Sequence, residues 1–143
     1  MSREKFIEAA RGLLGARWRH RGRKPWAVDC LGLLVLAGKE AGRDVETPRL
    51  YGREPWEDSL RRGLVAHFGK PLPAAEAKAG DVALIRWRAG EPSHVAIVAD
   101  HPDGWLTLIH AHNIHGVVEH SLAPPFDKVI VEVYRPWPDT FSL

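Results

Sequence analysis

The sequence holds a single cysteine, Cys30, which excludes an intrachain disulfide. It also lacks any apolar run near the roughly 20 residues that a membrane-spanning helix needs. Its first residues, MSREKFIEAARGLL, have neither the apolar core nor the small-residue cleavage site of a secretory signal. An excess of one charge is missing as well, since 20 Lys and Arg face 18 Asp and Glu for a formal charge of +2. That balance argues against a dedicated nucleic-acid binder, which concentrates basic groups on one face. No internal repeat, low-complexity segment or long linker is present. These absences set the expectation of a protein synthesised in the cytoplasm without a signal peptide, with no nucleic-acid or membrane partner.

What is present suits one domain over residues 1–143, with 45% apolar residues to form a core. Phe6, Ile7, Ala10, Leu13 and Leu14 recur at helical spacing, which predicts a helix over 3–14 closed by Gly15. A polar loop is expected to about residue 28. It crowds Arg17, Arg19, Arg21, Arg23 and Lys24 into eight residues, either as a solvated flank or as a rim that steers an anionic polymer. Asp29 then precedes CLGLLVLAGKEAG. Asp is a favoured N-cap and Gly42 suits the C-terminal end, so a buried, central helix is predicted there. Residues 43–57 read as a loop, and 57–68 as an amphipathic helix stopped by Gly69 and Pro71.

The second half changes period. DVALIRW, HVAIVAD, WLTLIHAH, GVVEHSL and KVIVEVYRP are rich in β-branched residues and separated by turn signals such as HPDG. Helices first and strands afterwards indicate an α+β fold, with N-terminal helices packed on a roughly five-stranded antiparallel sheet.

A lone cysteine is more often a small buried hydrophobe than a nucleophile. Cys30, however, falls in the first turn of its predicted helix, where free N–H groups and the helix dipole favour a thiolate. The same N–H groups suit an oxyanion. A cysteine nucleophile needs a histidine base held by a third polar group. His94 opens its strand, and antiparallel pairing brings the start of that strand beside the end of the next, where His110 lies. The three are therefore candidate catalytic residues. His110, His112, His115 and His120 raise the rival of a metal site, but no Cys-x-x-Cys or His-Glu-x-x-His spacing accompanies them and no metal is expected. Trp18, Trp26, Trp56 and Trp87 suit a substrate groove and a packed core equally well.

GARWRHRGRKPWAVDCLGL, followed in order by AGDVALIRW, SHVAIVAD and LIHAH, resembles the NlpC/P60 family of cysteine peptidases. More narrowly, it is similar to the stand-alone phage-tail and gene-transfer-agent branch of that family, in which the triplet Trp18-Arg19-His20 is common. The resemblance implies a papain-like α+β fold and hydrolysis of amide bonds in peptidoglycan stem peptides, with no cofactor. It carries the nucleophile onto Cys30, the base onto His94 and the orienting third residue onto His110. It assigns substrate or oxyanion binding to Asp29, Trp18 and His20. Leu31 stands where the family often has serine, and Trp18 where many relatives have a tyrosine. It further implies phage-like tail proteins as partners and a virion or virion-like tail as the location. The alternatives are a catalytically silent adaptor of a tail tip, or a thiol-dependent amidase or acyltransferase acting on another substrate.

Overall fold

The structure is a computed structural model, described here for residues 2–47, 59–87 and 94–137. Helix α1 (Arg3–Arg11) starts where the Ser2 hydroxyl accepts a hydrogen bond from the Lys5 N–H, and buries Phe6, Ile7 and Ala10. It ends at Gly12, short of the predicted residue 14. The chain leaves it through turns, and Gly15 there adopts a left-handed φ of 88°.

The basic segment expected as a loop instead forms three two-residue strands: β1 (Arg17–Trp18), β2 (Arg23–Lys24) and β3 (Ala27–Val28). β3 pairs parallel to β1 and antiparallel to β2. Strands this short leave no period-2 signature for a sequence reading to find.

Helix α2 (Cys30–Glu40) follows, capped by the Asp29 side chain and burying Gly32, Leu33, Leu34, Ala37 and Gly38. Its position is set by a close approach. A Cβ on Gly32 would collide with the carbonyl oxygen of Gly22, so only glycine lets the basic turn lie against the first turn of the helix. Helix α3 (Ser59–Phe68) matches the described part of the predicted 57–68 element. No described helix is long and apolar enough to cross a membrane.

The larger sheet contains β4 (Leu72–Pro73), β5 (Val82–Ile85), β6 (His94–Asp100), β7 (Leu106–His112), β8 (Gly116–Ser121) and β9 (Ile130–Tyr134). Their spatial order is β4-β9-β5-β6-β7-β8, antiparallel throughout. The five predicted strands are all present, and the two-residue β4 adds a sixth at the edge. Alternation then divides the core. Val82, Leu84, Val95, Ile97, Ala99, Ile109, Ala111 and Val117 pack with α1 and α2. Ala83, Ile85, Ala96, Val98, Leu108, Ile130 and Val133 form a second cluster on the opposite face.

One bidentate ion pair ties helix to sheet, and another joins the end of β9 to the start of β5. Arg11 of α1 holds Glu119 of β8 at 2.9–3.0 Å, and Arg135 holds the buried Asp81 at 2.9–3.0 Å. The result is the α+β architecture expected from the sequence. It brings the first turn of α2 against the start of β6 and leaves a hairpin, β7–β8, beyond it.

Candidate active site

The site begins with the local chemistry of the α2 N-terminus. One Asp29 oxygen accepts from the Gly32 N–H at 2.8 Å and from the Arg23 guanidinium at 3.1 Å; the other accepts from the Arg21 N–H at 2.8 Å. Arg23 also reaches the Thr47 hydroxyl at 3.2 Å. Asp29 is buried and directed into this brace, so its carboxylate orients the turn that carries Cys30. Trp18 pairs in register with Val28, two residues before Cys30, and its ring stacks on that of His20 with centroids 6.3 Å apart. Trp18 and His20 thus stand on the strand segment beside the start of α2.

Cys30 is half-buried, and its thiol meets the backbone N–H groups of Leu31, of Cys30 itself and of Val95. The Val95 contact places the sulfur beside the residue that follows His94. The thiol nevertheless departs from the thiolate expected at a helix start. Burial pushes it up to about 12, the negative charge of Asp29 adds to the rise, and the three backbone N–H groups only partly oppose it. The helix terminus acts in the expected direction and desolvation outweighs it.

In the larger sheet, β6 pairs with β7 through Ile97 and Ile109, which brings His94 near His110. His94 Nε2 lies 3.1 Å from His110 Nδ1, with the rings perpendicular. This is the juxtaposition expected from the antiparallel hairpin. Among the described residues no hydrogen bond joins the Cys30 thiol to the His94 ring. Nδ1 is the ring nitrogen of His94 that His110 leaves unengaged, and it is the ring nitrogen nearer the main chain.

Burial lowers His94 to about 4, with the neighbouring His112 adding to the effect. Burial likewise lowers His110 to about 3, aided by His94, His120 and His112. Both rings are therefore neutral at ordinary pH. The site at rest is a neutral thiol beside a neutral imidazole.

One feature escaped the sequence reading, and another was left by it between a substrate groove and the core. His120, weighed there only as a metal ligand, places Nε2 2.9 Å from His110 Nε2. The β7–β8 register explains it. His110 pairs with Val118, so His120 sits on the adjacent diagonal, on the same face. The LIHAH and GVVEHSL runs around their turn carried that signal. Trp87 is the second feature. Its ring lies 5.7 Å from His94 and 5.6 Å from His110, and Phe126 continues the cover 4.2 Å from His120. Among the described residues no group of three or more His, Cys, Asp or Glu side chains is arranged to hold a metal ion. Both nitrogens of His110 are instead taken up by neighbouring rings.

A cysteine at a helix start lies against a strand that opens with His94, which pairs with His110 of the next strand, in an α+β frame. The chain belongs to the NlpC/P60 family, whose model matches residues 15–135. Among solved structures it is similar to the NlpC/p60 domain of the peptidoglycan hydrolase SagA. The two are 20% identical over 94% of this chain and 98% of that one, with a TM-score of 0.64. An NlpC/P60 family protein from Bacillus cereus superposes with a TM-score of 0.66 at 18% identity, covering 96% of this chain and 41% of that chain. NlpC1 from Trichomonas vaginalis gives 0.62 at 19% identity, covering 96% and 45%. The chain thus spans less than half the length of these last two. No curated protein matches its sequence.

Proposed function

We propose that this protein is a cysteine peptidase that hydrolyses amide bonds in peptidoglycan stem peptides, with Cys30 as nucleophile, His94 as base and His110 as the residue that orients the base. The observation that carries the reading is the thiol held at the Val95 N–H, beside a histidine whose far nitrogen is already bonded to His110. Membership of the NlpC/P60 family and likeness to the SagA hydrolase domain support the substrate class.

The chemistry follows from the resting charges. As a peptide carbonyl approaches Cys30, the thiol proton passes to His94 Nδ1 while sulfur bonds to the carbonyl carbon. The N–H groups at the start of α2 stabilise the oxyanion that forms. The carbonyl re-forms, the C–N bond breaks, and the His94 imidazolium protonates the departing amine. Water then attacks the thioester carbonyl while giving a proton to His94, the C–S bond breaks to release the carboxylic acid, and His94 returns that proton to the sulfur. Starting from a neutral pair, proton transfer is coupled to attack, so the thiol is spent only when substrate fills the cleft. Trp18, His20 and Asp29 shape the wall on the nucleophile's side, and the scheme uses no cofactor.

The same reading assigns the protein to a virion or virion-like tail, with phage-like tail proteins as partners. It is supported by the Trp18-Arg19-His20 triplet. Copurification with particles is its test, and recovery only as free protein in particle-producing cells would sink it.

The activity is tested by mass spectrometry of purified peptidoglycan digested with wild type and with Cys30→Ala. Stem-peptide fragments released by wild type alone are the expected result. Equal release by both, or by neither under reducing conditions, overturns the peptidase reading.

A further inference from the structure

The histidine pair at the site continues as a chain of three rings. His120 Nδ1 lies 3.1 Å from the Ser121 carbonyl oxygen, His120 Nε2 lies 2.9 Å from His110 Nε2, and His110 Nδ1 lies 3.1 Å from His94 Nε2. A carbonyl oxygen only accepts hydrogen bonds, so His120 Nδ1 must carry a proton. In neutral His120 this leaves a lone pair on Nε2, which accepts from His110 Nε2–H. His110 is then left with a lone pair on Nδ1, which accepts from His94 Nε2–H. His94 finally has its lone pair on Nδ1, the nitrogen that the peptidase reading uses as base.

The opposite arrangement is equally neutral and useless. If His110 donated from Nδ1, His94 would accept through Nε2 and carry its proton on Nδ1, where it could not take one from a thiol. With His94 and His110 alone, the two arrangements differ by no donor or acceptor count. Only the Ser121 carbonyl, reached through His120, breaks the tie.

We propose that His120 is a positioning residue, which transmits the polarity of the Ser121 carbonyl through His110 and so fixes His94 in the tautomer with an unprotonated Nδ1. The surroundings suit the task. His110 is 3% exposed, so water has little access to substitute for a missing partner. Trp87 and Phe126 cover the rings from the side. The inference rests on the peptidase reading for its kinetic consequence, whereas the tautomer itself is observable without any substrate.

The test uses the whole chain, 15N-labelled at histidine, as wild type and as His120→Phe, His120→Gln and His120→Lys. Phenylalanine keeps a ring against Phe126 and removes both nitrogens. Glutamine keeps an acceptor toward His110, and lysine offers donors only. In wild type and His120→Gln, His94 should show a protonated Nε2 and an unprotonated Nδ1. His120→Phe should give mixed tautomers, and His120→Lys the reversed one. On peptidoglycan fragments, His120→Phe should lower kcat by roughly 10- to 100-fold with KM within about 2-fold, while glutamine restores most of it.

A wild-type His94 protonated on Nδ1 would overturn the proposal. So would tautomers that stay the same in His120→Phe and His120→Lys, or kinetics alike in all four proteins. If His120→Phe does not fold, the glutamine and lysine variants decide. If wild type shows no thiol-dependent hydrolysis at all, the peptidase reading fails by itself, and the nitrogen spectra still judge the relay.

Discussion

At the cap of the Cys30 helix the holding interactions come from near in the chain: Asp29 accepts from Gly32, Arg21 and Arg23, none more than eight residues away. Around His94 they cross between strands, from residues 16 apart for His110 and then ten apart for His120. The two halves of the site differ in charge as well. Cys30 rests on a partly buried ion pair, and His94 rests on neutral rings. An ion pair fixes position strongly and tolerates the loss of neither partner. A chain of neutral rings leaves a proton free to move and depends on which nitrogen holds it. The half around Cys30 is charged and local, and the half around His94 is neutral and assembled by the sheet.

The largest blow to this comparison falls on the base. His94→Gln removes the proton acceptor while keeping a polar group on β6. It should reduce kcat by about 10³-fold or more with Tm within a few degrees of wild type, measured by turnover and by calorimetry. A variant that kept most of its activity would show that the histidine side does not carry the proton.

Asp29 breaks the other half, and it should act on stability first. Asp29→Ala leaves the Arg23 guanidinium without its carboxylate and removes the cap of α2. It should cost about 3–4 kcal/mol in denaturant unfolding. The milder Asp29→Asn removes the charge that helps raise the thiol. Alkylation of Cys30 by iodoacetamide at a fixed neutral pH should then run several-fold faster than in wild type, although the fold is weaker. Slower alkylation would mean that the Asp29 charge does not bear on the sulfur.

The same contrast explains what the sequence disclosed. Capping is local chemistry, so Asp29, Cys30 and Gly42 marked α2 directly. β-Branched runs marked β5 to β9, and their order alone brought His94 and His110 together. The strands β1 to β3 were read as loop because their ladder depends on pairings such as Arg17 N–H to the Trp26 carbonyl and Arg19 N–H to the Val28 carbonyl. Those are fixed only once Gly22 packs under Gly32. The state of the thiol was misjudged for a related reason. The dipole of a helix end is visible in a sequence, and the depth of burial that outweighs it is not. His120 was legible as a histidine in a strand. Its role required the exact β7–β8 register, and a shift of one residue would have turned it to the other face.

Acid should test the neutral half. Unfolded histidines bind protons near pH 6.5, whereas His94 and His110 hold out to about 4 and about 3. Between those limits the unfolded chain carries more protons, so stability falls as pH drops from about 6.5 toward 4. The loss by pH 5 should be about 4 kcal/mol, about 2 for each histidine, with Tm falling in step. Below about pH 4.5, Glu119 adds to the decline, since its hydrogen bond from Arg11 lowers its pKa and is lost on protonation. His110→Gln should roughly halve this slope from about pH 6.5 down to about 4 and leave the share of Glu119. An unchanged slope would place the acid sensitivity elsewhere.

The smallest effect probes whether the halves communicate. Arg11 joins α1, which packs on α2, to Glu119, the residue before His120. The pair is partly exposed, so Arg11→Met should cost only about 1 kcal/mol, and less in high salt. Glu119 also accepts from the Thr107 hydroxyl at 2.7 Å, which holds the β7–β8 pairing from its other side. The register of His110 and His120 should therefore survive, and kcat should change by less than about 2-fold. A large fall in kcat with so small a loss of stability would mean that the histidine chain is held in place by α1 and not by its own hairpin. The division between a locally braced nucleophile and a sheet-assembled base would then have to be redrawn.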